Sequence, residues 1–413
     1  MVQLICIMLL LVLVPAESKN TKNINGGITA SGTVEGFATD EATTVVATGT
    51  IQDAIAASTD NTASIVQLLR KTYYENVDVD KSLQLIGMGP KATKVSGDTD
   101  GDRVGNGRVF TIYQDKTVTL QGMTIKNGDA DYDTYNPTSE GYYVGGGILN
   151  DRGTLTVINC DINNNHAGDY GGGIENLGGV LTVSNSNIHD NIAGTYGGGV
   201  ENYDYWGTGG VTATLTDSRI HHNTAIDGYG GGVDNYYGVM DLDNCQIDHN
   251  LAGKGGGVYD YWGTSTIDGS EIVYNTASYS EEMQVSGYGA YGGGIYTEGT
   301  TSTITNSKIA NNAAIGSITA AYGGGIYDYY STLAITGSTL SGNKATNDGG
   351  AIYAQTHSST GETLTVENSQ LTANRAGDNG GGIYWLDTNG VPPTLTDDTF
   401  KRNTPNDVYP AIP

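Results

Sequence analysis

The apolar residues of this chain come in short alternating runs. Val77-Asp78-Val79, Leu83-Gln84-Leu85 and Leu181-Thr182-Val183 alternate strictly. Period-two alternation puts every second side chain on one face, so each run predicts a strand with one face buried. Further runs at residues 64–68, 109–112, 118–120 and 123–125 continue the series, punctuated by Gly87, Gly89, Gly97 and Gly122. One stretch has a different period. In Thr50-Ile51-Gln52-Asp53-Ala54-Ile55-Ala56-Ala57 the apolar positions 51, 54 and 55 fit one face of a short helix, with Thr50 as its N-cap. Such a helix is well placed to cap the open end of a solenoid.

From residue 145 the pattern repeats. A triplet of small residues followed by Ile or Val starts at Gly145, Gly171, Gly197, Gly230, Gly255, Gly292, Gly323, Gly349 and Gly380. Successive starts lie between 25 residues (Gly230 to Gly255) and 37 residues (Gly255 to Gly292) apart. In the unit at Gly171, Ile174 opens a strand and Leu181 and Val183 point inward from the next. Asn185-Ser186 makes a corner, Ile188 points inward again and Asn191 closes the unit. The Ile188 position becomes Ile162, Ile220, Ile247, Ile272, Ile309, Leu340, Leu371 and Phe400. The closing Asn recurs as Asn165, Asn223, Asn250, Asn275, Asn312, Asn343, Asn374 and Asn403.

No unit holds enough apolar residues for a core of its own, so like positions must stack into a continuous one. The expected fold is all-β, a right-handed parallel β-helix with a short N-terminal capping helix. The closing Asn is read as a left-handed corner whose stacked amides bond into a ladder. The expected organisation is a signal peptide at 1–16, a leader at 17–48, the cap and first coils at 49–144, and nine regular units at 145–413.

Composition narrows the function classes. Gly is abundant (62) and Pro scarce (8), but the glycines sit at repeat positions, which separates the chain from disordered low-complexity sequence. A net charge of -26 repels phosphate backbones, so nucleic acid is not an expected partner, while cations such as calcium are attracted. The apolar run at 4–14, followed by Val14-Pro15-Ala16, reads as a secretory signal and implies an extracellular, cell-surface protein. Cys160 and Cys245 occupy the slot of Ser186 and Ser218, three coils apart. That is roughly 14 Å at ordinary strand spacing. A disulfide needs Cα atoms within about 7 Å. Both cysteines are therefore expected as free ladder residues.

The pairing of Gly171-Gly172-Gly173-Ile174 with Ile188 and Asn191, repeated over residues 145–403, resembles the repeats of polymorphic outer membrane proteins. More broadly it resembles right-handed β-helix adhesin-like surface proteins of the pectate-lyase-like superfamily. Thr50 to Ile55, Tyr73-Tyr74-Glu75-Asn76-Val77 and Leu83 to Gly89 are similar to the cap and first coils of secreted β-helix proteins, pectin methylesterases and pectate lyases among them. The resemblance implies a structural or adhesin-like surface role. The Gly-Thr-x-Asp-Phe-Ile-Phe-Gly stretch of methylesterases and the Gly-His-Gly of polygalacturonases are absent. The expectation is therefore a protein that is not an enzyme, with a polysaccharide lyase or glycoside hydrolase as the alternative.

Three groups carry candidate chemistry. His189 and Asp190, His221 and His222, and Asp248 and His249 follow the inward Ile on consecutive coils, where they would serve the enzymatic alternative as metal ligands or an acid/base pair. Glu175, Glu201 and Asp234 follow the first strand's Ile or Val. Stacked like charges must hold a proton or bind a cation, so no cofactor is required and calcium is the ion this column would take. Downstream the same column becomes Tyr259, Tyr296, Tyr327, Tyr353 and Tyr384, an outer face that turns from acidic to aromatic. The third group is the aromatic loops: Tyr205 and Trp206, Tyr236 and Tyr237, Tyr261 and Trp262, Tyr329 and Tyr330, and Trp385. Rings with a polar tip suit glycan or cell-surface protein partners. Self-association end to end, giving a fibre or sheath, is a further expected mode for a solenoid with an open edge.

Overall fold

The computed structural model describes residues 41–101, 105–132, 143–205, 207, 209–281, 288–317, 319–356, 361–387 and 391–411. The expected signal peptide and most of the leader lie outside these residues. No helix among the described residues is long and apolar enough to cross a membrane.

The chain from residue 44 onward is a right-handed parallel β-helix, as the repeat requires. In the unit at Gly171 the strands are Ile174–Leu177, Val180–Ser184, Asn187–His189 and Ile192–Ala193. Stacking like strands gives a 12-stranded triplet sheet, a 13-stranded long sheet, a 12-stranded corner sheet and a 7-stranded narrow sheet. A further 2-stranded pair joins Ala290–Tyr291 to Ala321–Tyr322. Each strand pairs in parallel with its counterpart one coil away: Ile174 faces Val200, Leu181 faces Ala213 and Ile188 faces Ile220. Thr44–Ala47, inside the expected leader, is already a strand and pairs with Ile65–Leu68.

Ile51–Ala57 is the helix the sequence anticipates. Thr50 Oγ1 accepts from Asp53 N at 3.0 Å, and Ile51, Ala54 and Ile55 are buried over the first coils. The Glu75 carboxylate accepts the orphan Ile51 and Gln52 amides, and Lys81 Nζ donates to the carbonyls of Ile55, Ala56 and Ser58 at the other end. A carboxylate at the N-terminus and an ammonium at the C-terminus match the helix dipole.

The interior is one column of Ile, Leu and Val flanked by polar ladders. The closing Asn and the left-handed corner prove to be separate residues. Asn191 and its counterparts are buried, and each Nδ2 donates to the Oδ1 of the next rung, from Asn165 to Asn403, at 2.9–3.1 Å. The left-handed backbone falls one position earlier, at Asn164, Asp190, His222, His249, Tyr274 and Asn311. An Asn that bonds through both its backbone and its amide inside the core has no freedom left to turn the chain. A second ladder, Asn150-Asn176-Asn202-Asn235, ends on Asp260, with each contact 2.7 Å. Cys160 and Cys245 are free and buried in the Ser ladder, where Cys160 N donates to Ser186 Oγ at 3.1 Å and Cys245 N to Ser270 Oγ at 3.0 Å.

Candidate functional site

The corner between the triplet and long sheets carries the aromatic loops. Its left-handed residues are Arg152 (φ 56), Gly178 (φ 69), Tyr237 (φ 59), Trp262 (φ 51), Gly299 (φ 64) and Tyr330 (φ 52). Glycine adopts this conformation freely, whereas any side chain adds on the order of 1–2 kcal/mol. Trp262 nevertheless stands where Gly178 and Gly299 stand on other coils, and it is 55% exposed. A Cβ on Gly299 would meet the indole at 2.8 Å, so the ring rests on bare backbone of the next coil. Tyr261 meets it edge-on at 6.4 Å, and Tyr236 stacks on Tyr261 at 4.9 Å with Tyr237 edge-on to both.

A groove of about 420 Å³ runs from Trp262 to Tyr330, with Glu298, Thr301, Thr332 and Glu362 in its walls. Tyr329 backs Tyr330 at 4.2 Å, and Gln355 Nε2 donates to the Tyr330 hydroxyl at 2.9 Å. The aromatic-loop pattern does not include Glu298 or Glu362. For Glu298 the signal is positional, because it interrupts the column of Tyr203, Tyr236, Tyr261 and Tyr329. Tyr205 lies edge-on to Tyr203 at 5.8 Å, beside a cluster of Val144, Leu149 and Leu177. Trp206 lies outside the described residues. Trp385 points into the core, where its Nε1 donates to Pro410 O at 2.8 Å, and it does not offer a ring to solvent.

The His/Asp patch comes together on the outer face of the corner sheet. His189 Nε2 lies 2.8 Å from Asp161 and its Nδ1 lies 2.6 Å from Asp190. The hydrogen bond to Asp161 raises its pKa against the opposing effect of burial. Engagement of both nitrogens by carboxylates favours the imidazolium form of His189. His221 stacks on it at 4.9 Å, and burial followed by the Arg219 charge pushes its pKa down to about 4. His221 Nε2 therefore donates to Asn187 Oδ1 at 2.9 Å, and its Nδ1 accepts from His222 Nδ1 at 2.7 Å. His249 Nδ1 is 2.7 Å from Asp248, whose carboxylate Arg219 grips through two bonds of 2.8 Å. His222 and His249 stack at 5.0 Å. A groove of about 660 Å³ passes alongside, lined by Asp161, Asn187, Arg219 and Lys91.

Glu175, Glu201 and Asp234 do stack in register, but not on an open face. All three are buried beneath Tyr170, Tyr196 and Tyr229, which form their own bridged column. The Tyr259 to Tyr353 continuation is covered in the same way, so the expected outer face is an inner layer. Both Glu175 oxygens, both Asp234 oxygens and Glu201 Oε2 lack a hydrogen-bond partner. Burial raises all three pKa values well above the usual carboxyl range, helped by the Asp234 charge at Glu175 and Glu201 and by the Asp260 charge at Asp234. That shift favours the protonated form of each carboxyl. Among the described residues, the three ligating groups whose atoms lie within 4.8 Å of one another are instead Asp129, Asp131 and His166.

No protein-family model and no curated protein matches the chain. Solved structures do. The surface protein and adhesin PfbA of Streptococcus pneumoniae is 13% identical, with TM-score 0.45 over 86% of this chain and 94% of that one. The catalytic unit of a GH87 α-1,3-glucanase from Streptomyces thermodiastaticus is 14% identical, with TM-score 0.41 over 90% and 70%. Pectin methylesterase PemA from Erwinia chrysanthemi is 12% identical, with TM-score 0.28 over 87% and 92%. At these identities the likeness concerns the fold alone. The expectation that the chain is not an enzyme is overturned, because the glucanase, the methylesterase and a DFA-IIIase are enzymes among the matched structures. Lack of two pectin-enzyme motifs does not separate this chain from catalytic β-helices.

Proposed function

We propose that this protein is an extracellular, surface-associated β-helix that binds glycan chains at the Trp262 corner. The observation that carries the reading is Trp262 itself. A large ring is kept half-exposed in a left-handed position that two other coils give to glycine, Gly178 and Gly299, and two to tyrosine, Tyr237 and Tyr330. Strain of this kind persists where function repays it. A flat indole flanked by Tyr330 and the hydroxyls of Thr301 and Thr332 offers both things a sugar ring uses, an apolar platform and convergent polar groups. The test is a carbohydrate array followed by titration of intrinsic fluorescence. Binding should quench Trp262 and disappear in Trp262→Ala; a glycan bound equally well by that variant would remove the reading. Labelling of the protein on intact cells tests its location.

One observation favours cleavage of polysaccharide as a second reading. Arg219, which lines the larger groove, fixes Asp248, and Asp248 in turn lies 2.7 Å from His249 Nδ1, an arrangement of acid, base and cation on adjoining coils. Turnover of a uronate polymer that is lost in the double variant His222→Ala, His249→Ala would establish it. No turnover across a lyase and hydrolase panel would end it.

A further inference from the structure

The Trp262 groove also carries two acidic side chains that form no ion pair among the described residues. If the groove is a glycan site, their charge sets which glycans it takes. Glu298 and Glu362 stand in its walls. Neither takes part in an ion pair among the described residues. Glu298 accepts one bond, from the Tyr296 hydroxyl at 2.6 Å, and Lys254, whose charge interacts with it, is turned over the rings of Tyr229, Tyr296 and Tyr291 at 4.9, 5.3 and 5.6 Å. Glu362 Oε2 has no hydrogen-bond partner although it is shielded from solvent. The whole chain adds a net charge of -26, which repels acidic sugars.

The groove thus asks for a ligand with flat C–H faces for the indole and ammonium groups for the two carboxylates. Among glycans, polymers of 2-amino-2-deoxyhexose with free amines have both in every ring. We propose that the Trp262 groove selects such cationic glycans over neutral and acidic ones, with Glu298 and Glu362 as the residues that set the preference. This selectivity rests on the glycan reading of the groove. Each ammonium–carboxylate contact is a charge-assisted hydrogen bond in a half-shielded setting, so two of them together favour the amino sugar by about tenfold.

The experiment is a titration of the full chain with a glucosamine oligomer below its amine pKa, its N-acetylated counterpart of equal length, an oligogalacturonate and a lysine oligomer. The expected order is amino sugar, then N-acetylated sugar, then galacturonate, with the first gap closing at high salt. The double variant Glu298→Gln, Glu362→Gln should close the gap between the amino sugar and the N-acetylated sugar. Glutamine keeps an acceptor for Tyr296, and a thermal melt of the variant confirms folding. Equal binding of the two sugar oligomers would overturn the charge selection while leaving the glycan reading intact. Lysine oligomer binding as tight as the amino sugar would overturn it by showing that charge suffices without rings. Binding of no oligosaccharide would sink the glycan reading and this inference with it.

Discussion

The indole of Trp262 lies where a side chain on Gly299 would be, 2.8 Å from the position of its missing Cβ. The two residues share one corner column, and each is left-handed. Glycine on one coil is therefore the condition for tryptophan on the coil before it. Gly299→Ala should lift the ring from its seat and add strain at φ 64. We expect a stability loss of about 1 kcal/mol, together with a change in Trp fluorescence and weaker glycan binding.

Trp262→Gly tests the same relationship from the other side. Glycine relieves the left-handed strain, so the melting temperature should hold or rise, while binding is lost. A variant that is more stable and does not bind separates function from folding. A variant that loses both would show that the ring is structural.

The buried column of Glu175, Glu201 and Asp234 predicts an unusual pH profile. All three folded-state pKa values are raised. Stability is then fully present below the unfolded carboxyl value and is lost as pH rises toward the folded values. The loss is up to about 1.4 kcal/mol per pH unit for each carboxyl. Melting curves from acid to mildly alkaline pH should fall steadily, and Glu201→Gln should flatten them most at the alkaline end. A column held by protons shows no calcium-dependent rise in melting temperature, whereas an ion in the column would raise it and abolish the alkaline fall.

Asn250 is a middle rung of the ladder. It accepts from both Asn223 N and Asn223 Nδ2 and donates to Ile220 O and Asn275 Oδ1. Asn250→Ala strands several buried groups and should cost about 3–5 kcal/mol in urea unfolding. Asn403→Ala, at the end of the ladder, should cost visibly less.

Burial pushes the thiols of Cys160 and Cys245 up to about 11. A thiol reagent should leave both unlabelled in the native protein at neutral pH and label both after unfolding. Each Cys→Ser variant should stay within about 0.5 kcal/mol of the parent, since serine fills the same slot elsewhere.

Registering the repeat is enough to read the coil, the cap and the ladder slots. Ile188, Asn191 and Cys160 each recur at a fixed offset, and stacking turns an offset into a neighbour. The same logic brings the His/Asp patch together from residues on successive coils. It does not reveal what lies outside the sheets. Glu175 and Tyr259 alternate with inward residues, so a strand pattern puts them on an outer surface. Their burial depends on the rings of Tyr196 and Tyr229 folding back over the sheet, a contact between layers that alternation along one strand does not encode. Trp385 is misplaced by its sequence pattern for a related reason. In a triplet-sheet strand its position faces inward, as the Asn176 position does, and its likeness to the loop aromatics hides that. Glu298 and Glu362 escape because neither belongs to a motif; only the column reading sets Glu298 apart.

The two asparagine ladders have a direction. Along each ladder the rung-to-rung bond runs one way, Nδ2 to the Oδ1 of the next C-terminal rung, so each ladder is a file of dipoles laid head to tail. Such a file accumulates positive potential at its donor end. Both files end on a carboxylate there: Asn235 Nδ2 meets Asp260 at 2.7 Å, and Asn403 Nδ2 meets Asp407 at 2.8 Å. The solenoid is electrically polar along its axis, and acidic residues stand where that polarity needs neutralising. A coil inserted or deleted by repeat recombination would preserve the arrangement only if it left these two terminators at the donor ends. The ladders therefore tolerate a change in length more readily than a change in how they finish.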